Sequence, residues 1–389
     1  GTVNTEFEIL TGMRQHDFGV SEYPYKTVLK SKTSESICTD LKKLGYSTHA
    51  VHNNEATFYG RNTVFSNIGF DTFCSMEYMN GLTDSPNGWS NDDVLSREIM
   101  KTLDSTSGPD FTMAITVQSH GKYDGIALDD PTIKVTGAPE RKEQAYEYYV
   151  NEIHEVDRMI DTLIKELSNR KEETVLVLYG DHLPSLDIQK DDLSNANLYQ
   201  TQYVVWDNMN LKKKTKNLHA YQLYAEVLDR IQIHEGMITK YHQQTKHRSK
   251  LYLTGLTTLS YDLLYGDNYA YDGENPFKQT ELQMGTEPVK LTSVQKTKSG
   301  YWVVGSGFTP YCKVYYDGTL VESEWISSGC LQLQDEFELD EADKKDSGEP
   351  ETEVTEPRDV PNAFVVEVQS DDGVVLSSTQ AYPASQVKK

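Results

Sequence analysis

No apolar run in this sequence approaches the ~20 residues that a bilayer-spanning helix requires, so no such helix is expected within the chain. Basic residues are in deficit, 37 Lys and Arg against 60 Asp and Glu, for a formal net charge of -23. A nucleic-acid partner needs a basic surface to neutralise phosphates, and that class is excluded. Acidity of this kind favours cations but by itself means only solubility. Cysteine is scarce: Cys38, Cys74, Cys312 and Cys330 have no Cys-x-x-Cys spacing, which argues against a thiolate metal site. Their even count leaves two alternatives open, two disulfides (one per half) in an oxidising compartment or four isolated buried thiols. There is no internal repeat and no signal-like segment. The chain opens on Gly1-Thr2-Val3-Asn4 without an initiator Met, and reads as the soluble part of something larger.

What is present is an alternation of strand and helix signals over the first two-thirds. Tyr46 to Val51 follows a Leu44-Gly45 helix stop, and Phe111 to Val117, Thr174 to Tyr179 and Gln202 to Trp206 are further strand candidates. The run Val175-Leu176-Val177-Leu178 reads as a buried parallel strand. From about Arg141 to Leu167, Tyr149, Ile153, Val156, Ile160, Leu163, Ile164 and Leu167 recur at helical spacing, a stripe for packing on a sheet. The pattern predicts an α/β fold whose mostly parallel sheet is covered by helices on both faces. Residues 276–288 read as a linker between a domain at 1–275 and a smaller one at 289–389. That second region has short strand candidates and an Asp317-Gly318 hairpin turn, predicting an immunoglobulin-like β-sandwich. Residues 339–358, acidic and poor in apolar side chains, read as a mobile loop.

Polar groups cluster just after the strand candidates. They are Gly1-Thr2-Val3-Asn4-Thr5-Glu6-Phe7, His52-Asn53-Asn54 with Phe58-Tyr59-Gly60-Arg61-Asn62, Gln118-Ser119-His120, and Tyr179-Gly180-Asp181-His182. Tails of successive parallel strands converge on one crevice. Each residue also has a plain structural explanation. Thr2 suits a helix N-cap, with Thr5 the competing nucleophile; His52 and His120 suit satisfied loop histidines, Arg61 a surface ion pair, and Lys212-Lys213-Lys214 a solvated face.

The segment Gly1 to Gly12 resembles the nucleophile segment of the lipoteichoic acid synthase family, in the alkaline phosphatase and sulfatase superfamily. Phe58-Tyr59-Gly60-Arg61-Asn62 with Gly69-Phe70-Asp71, Ser119-His120-Gly121-Lys122-Tyr123, and Tyr179-Gly180-Asp181-His182-Leu183-Pro184 are similar to further blocks in the family's order. The resemblance runs through most of residues 1–270, including Tyr261 to Gly266. It implies an alkaline phosphatase/sulfatase-like catalytic domain in which Thr2 is the nucleophile and Thr2, Asp181 and His182 bind a divalent metal. Mixed oxygen and nitrogen ligation suits Mn²⁺ first, with Zn²⁺ or Mg²⁺ as alternatives. His52, Asn54, Tyr59, Arg61 and His120 map to substrate-contacting positions, with Tyr59 where the family has Trp and Asn54 where it can carry Asp.

The implied activity moves glycerol phosphate from a phosphatidylglycerol-like anionic lipid to a polyol-phosphate acceptor through a phospho-threonine linkage. Water as acceptor would make the same site a phosphodiesterase or phosphatase. The formylglycine signature Cys-x-Pro/Ala/Ser-x-Arg is absent at all four cysteines, which disfavours sulfate-ester hydrolysis by that route. The family draws a further carboxylate ligand from a strand before the nucleophile segment, and this chain is expected to begin after it. Membership also implies membrane-spanning helices upstream and placement on the extracellular face of a Gram-positive plasma membrane. A non-catalytic alternative is a surface module that binds polysaccharide or a partner protein through Tyr301, Trp302, Tyr311, Tyr315 and Tyr316, several of which must be core at these spacings.

Overall fold

The computed structural model describes residues 1–19, 21–138, 140–247, 249–334, 337–339 and 356–388. Helix α1 (Thr2–Thr11) places Val3, Phe7 and Leu10 on one buried face. It stops at Gly12, whose φ of 70° is left-handed and whose N–H returns to Glu8 O. A Cβ there would lie 2.6 Å from Ile238, so only glycine closes this helix without strain. Helix α2 (Ile37–Lys42) begins with a capping box in which Ser36 and Thr39 each take the other's backbone N–H.

Strand β1 (Ser47–His52) is buried over five of its six residues. Helix α3 (Arg61–Asn67), strand β2 (Thr72–Cys74), helix α4 (Val94–Asp104) and strand β3 (Asp110–Ile115) follow. β1 pairs in parallel with β2 on one side and with β3 on the other. This parallel sheet is the one the alternating pattern predicts. Helix α5 (Glu140–Asn169) buries Met159, Leu163 and Leu167, while Ile153 falls off the stripe and is exposed.

The run that reads as a buried parallel strand is strand β4 (Val175–Tyr179), and the structure corrects that expectation. It pairs antiparallel with β5 (Tyr203–Asp207), from Val175 opposite Asp207 to Tyr179 opposite Tyr203, as a separate two-stranded sheet. Val175, Val177 and Tyr179 pack towards Ile9, Leu223 and Val227, whereas Leu176 and Trp206 pack towards Ile99, Leu163 and Leu167. Cover on both faces calls for an unbroken aliphatic run whichever way the neighbour points, so periodicity could not give its direction.

Helices α6 (Leu223–Arg230), α7 (Met237–Gln244) and α8 (Lys250–Leu264) complete this region. The stretch read as a linker supplies strand β6 (Gln283–Met284), parallel to β2, which gives the order β3-β1-β2-β6. Beyond it lie β7 (Lys290–Thr297), β8 (Gly300–Ser306), β9 (Cys312–Tyr316), β10 (Thr319–Val321), β11 (Ser323–Ser327), β12 (Cys330–Leu333), β13 (Ala363–Gln369), β14 (Val375–Ser378) and β15 (Tyr382–Pro383). They form antiparallel sheets ordered β10-β9-β13-β14, with β15 on β13, and β11-β12-β8-β7.

The Asp317-Gly318 turn has positive φ at both residues, 47° and 74°, as a two-residue hairpin requires. Val294, Tyr301, Val303, Phe308, Val314, Leu331, Phe364 and Val366 belong to one core shared by the two sheets. The strand orders define antiparallel sheets on one core and do not establish the immunoglobulin type. Of the acidic segment 339–358, residues 340–355 lie outside the described residues. All four cysteines are free thiols, which removes the two-disulfide alternative. Among the described residues no helix is long and apolar enough to cross a membrane.

Candidate active site

The first turn of α1 meets the loop after β4. Thr2 Oγ1 lies 3.3 Å from His182 Nε2, and Asp181 Oδ2 lies 3.5 Å from the same nitrogen. His182 Nδ1 sits 2.8 Å from Leu183 O. A carbonyl only accepts, so Nδ1 is the donor in that contact, and Nε2 is the ring nitrogen turned towards Thr2 and Asp181. Asp181 Oδ1 accepts the His182 backbone N–H at 2.8 Å, which holds the two residues in one compact turn. Thr5 Oγ1 donates to Asp181 O at 2.9 Å; this competing nucleophile is engaged as a tether between α1 and the β4 loop.

Hydroxyl, carboxylate and imidazole thus converge at the amino end of a ten-residue helix, where unpaired N–H groups favour negative charge. Among the described residues no three His, Cys, Asp or Glu side chains are grouped as a metal site. With the Thr2 hydroxyl, Asp181 and His182 make a three-donor set of mixed oxygen and nitrogen. The two side chains are 33% and 40% exposed, and the set fits a divalent cation with open coordination positions.

Beneath this rim Arg61 is buried, with Nε 3.2 and 3.3 Å from Glu6 Oε1 and Oε2 and Nη2 3.0 Å from Oε2. Surface pairing is ruled out for Arg61, and its two-pronged grip is already taken by Glu6. Its Nη1 is buried without a partner among the described residues. The Glu6 charge raises the Arg61 pKa against the opposing pull of burial, so the guanidinium stays charged. Tyr59, at φ 61°, brings its ring centroid 5.4 Å from Arg61 Cζ, and Phe58 packs on it at 4.5 Å.

His52 closes β1. Its Nδ1 donates to Ile115 O at 2.9 Å, and burial, followed by the nearby Arg61 charge, holds its pKa well below the usual histidine value. The ring is neutral, with Nε2 as an acceptor. Asn54 is half-buried, and its carbonyl takes the Met76 N–H at 3.1 Å. His120 is exposed, its Nδ1 2.7 Å from Gly121 O and its ring edge-on to Trp89 at 4.8 Å. Its segment reaches the β4 loop through Gly121, where a Cβ would stand 2.6 Å from Ser185 Oγ. No hydrogen bond joins His120 to Thr2, Asp181 or His182 among the described residues.

Thr2, Asp181 and His182 are therefore in contact, Arg61 is joined to α1 through Glu6, and His52 is joined to β3. Sequence reasoning missed Glu6 and Asp92. Glu6 had a usable signal, since four residues after Thr2 it lies on the same helical face. Asp92 had none beyond preceding an apolar helical run. It is fully buried, and burial raises its pKa to about 6.

The chain is similar to several known proteins. A putative cyclic beta-1,2-glucan modification protein of Rhizobium meliloti is 31% identical over 231 residues, 55% of this chain and 36% of that protein. Lipoteichoic acid synthase 2 of Bacillus subtilis is 23% identical over 197 residues, 50% of this chain and 30% of that one. This chain spans about a third of the length of these curated relatives. Streptococcus pyogenes phosphoglycerol transferase GacH, solved with sn-glycerol-1-phosphate, superposes with a TM-score of 0.58 at 20% identity, over 72% of this chain and 77% of that one. At that identity the likeness is one of fold. The Sulfatase family model matches residues 1–233, more than half of the chain, and the chain belongs to the sulfatase family.

Proposed function

We propose that the chain carries the phosphoryl-transfer site of a phosphoglycerol transferase, with Thr2 as nucleophile. The single observation that carries this is the Thr2 hydroxyl 3.3 Å from His182 Nε2 and beside Asp181, at a helix amino end. Thr2 Oγ attacks phosphorus of a glycerophospholipid such as phosphatidylglycerol; the bond from phosphorus to the diacylglycerol oxygen breaks, that oxygen takes up the proton Thr2 loses and leaves as diacylglycerol, and glycerol phosphate stays on Thr2. The acceptor hydroxyl then attacks phosphorus, its proton passing to Thr2 Oγ as the Thr2–phosphorus bond breaks.

A divalent cation, Mn²⁺ first, held by Thr2, Asp181 and His182 would lower the hydroxyl pKa and offset charge on the phosphoryl oxygens. Arg61 Nη1, charged and without a partner among the described residues, suits a phosphate oxygen. His52, Asn54, Tyr59 and His120 line the remaining walls of the pocket in this reading. The acceptor is a polyol or saccharide hydroxyl, in keeping with the names of the relatives. The full-length protein would be anchored in the membrane upstream, with this region on its extracellular face.

One observation favours a second reading with water as acceptor, namely the exposure of Asp181 and His182. Full-length protein given phosphatidylglycerol vesicles, with and without acceptor, separates the two. Growth of a phosphoglycerol-modified acceptor supports the transferase, and free glycerol phosphate with no modified acceptor supports the hydrolase. Thr2→Ala should abolish both products. Undiminished turnover by that variant would remove the nucleophile assignment.

A further inference from the structure

The loop after β1, the end of β3 and the start of α4 meet on one buried carboxylate. Asp92 Oδ1 accepts from Asn53 Nδ2 at 2.8 Å, Val117 N at 2.9 Å and Gln118 N at 3.3 Å, and Oδ2 accepts from Gln118 N at 3.2 Å. Asp92 N in turn donates to Gln118 Oε1 at 2.8 Å. Asn53 cannot be turned over, since its Nδ2 also faces Ser90 O at 3.2 Å and Asn91 O at 3.0 Å, an oxygen-only surround that fits a donor alone. Asn53 directly follows His52, and Gln118 lies two residues before His120. These two histidines come from different strand ends and share no hydrogen bond among the described residues. Asp92 is the group to which both segments are tied.

We propose that Asp92 is a positioning residue of the phosphate pocket, holding the His52 and His120 segments at a fixed separation so that both imidazoles meet one substrate phosphate. The inference rests on the function proposed above. A carboxylate can accept all these N–H groups at once, whereas a carboxamide must turn a donor towards Asn53 Nδ2 or the Gln118 N–H. A buried donor facing a donor is relieved only by moving a segment apart. A shift of the order of 1 Å in a group that orients substrate costs about a hundredfold in rate.

The test uses the whole chain and the ring ¹⁵N–¹H signals of His52 and His120 during titration with sn-glycerol-1-phosphate. Asp92→Asn is compared with wild type and with Asp161→Asn, whose side chain is exposed on α5. In Asp92→Asn the ligand-free His120 signals should be displaced and affinity should fall roughly ten- to a hundredfold, the value of one hydrogen bond to a charged group, with one cooperative melting transition retained. Asp161→Asn should behave as wild type. A folded Asp92→Asn with unmoved ring signals and unchanged affinity overturns the positioning role.

Failure of wild type to respond to the ligand instead removes the phosphate-site reading. The ligand-free ring signals then decide the positioning role alone, displaced signals upholding it and unmoved ones overturning it. If Asp92→Asn does not fold, Asn53→Ala cuts the link to the His52 segment while leaving Asp92 its bonds to Val117 and Gln118. Displacement of the His52 signals is expected there, and its absence overturns the role.

Discussion

Glu6 occupies the fork of Arg61. Both Nε and Nη2 donate to its carboxylate, and the side chains are 2% and 1% exposed. Because Glu6 lies one helical turn after Thr2, this pair fixes the face of α1 that carries the candidate nucleophile. It also leaves Arg61 Nη1 without a partner among the described residues.

Breaking that pair strands a buried charge. Glu6→Ala should destabilise the protein by about 3–5 kcal/mol, the usual cost of removing one partner of a buried ion pair. Denaturant unfolding measures it, and a loss below about 1 kcal/mol would mean that water reaches Arg61 freely. Arg61→Lys cannot supply the planar fork, and should weaken sn-glycerol-1-phosphate binding as well as stability.

His242 sets a pH dependence of stability. It is buried, its Nε2 donates to Gly12 O and its Nδ1 accepts from the Tyr252 hydroxyl, both at 2.8 Å. Burial lowers its pKa to about 4. The unfolded chain takes up this proton as pH falls through about 6.5, the folded protein only near 4. The contribution is therefore present above about 6.5 and is lost as pH falls, up to roughly 3 kcal/mol.

Asp92 works in the opposite sense. With a folded pKa raised to about 6, its contribution is full below about 3.9 and is lost as pH rises through about 6. The two are separated by comparing His242→Gln with wild type. The variant should be the less stable at pH 7.5, with the gap closing towards pH 4.5, as melting curves would show. A constant gap would mean that His242 titrates normally in the fold.

Tyr78 joins the two halves of the chain. Its ring takes part in the cores on both sides and its hydroxyl lies 2.7 Å from Ser377 Oγ. Gly285, at φ 79°, lies so close that a Cβ would stand 2.6 Å from the ring. Tyr78→Phe should cost about 1 kcal/mol, the net value of one hydrogen bond. Tyr78→Ala should cost about 3–5 kcal/mol and split calorimetric unfolding into two transitions. A single transition at the wild-type temperature would show that the ring carries no coupling.

The sequence was most informative where local chemistry decides the outcome. The Asp317-Gly318 pair makes its hairpin, and the apolar stripe of α5 lies on the buried side apart from Ile153. The direction of β4 was illegible, since a strand covered on both faces reads the same beside a parallel or an antiparallel neighbour. At the site, the polar tails after β1, β3 and β4 could be found as motifs. Their supports could not: Asp92 acts across 25 residues on Val117 and 39 on Asn53, a separation with no periodic signal. Glu6 was visible beside Thr2, but that it takes the Arg61 fork depends on tertiary packing.

The most direct test of the central claim is intact-mass and peptide analysis of full-length protein, quenched in acid during turnover of phosphatidylglycerol without acceptor. The expected result is one glycerol phosphate bound covalently to the peptide that begins at or spans Thr2, and absent in Thr2→Ala. An adduct on Thr5 or elsewhere, or glycerol phosphate released at the wild-type rate by Thr2→Ala, would contradict it.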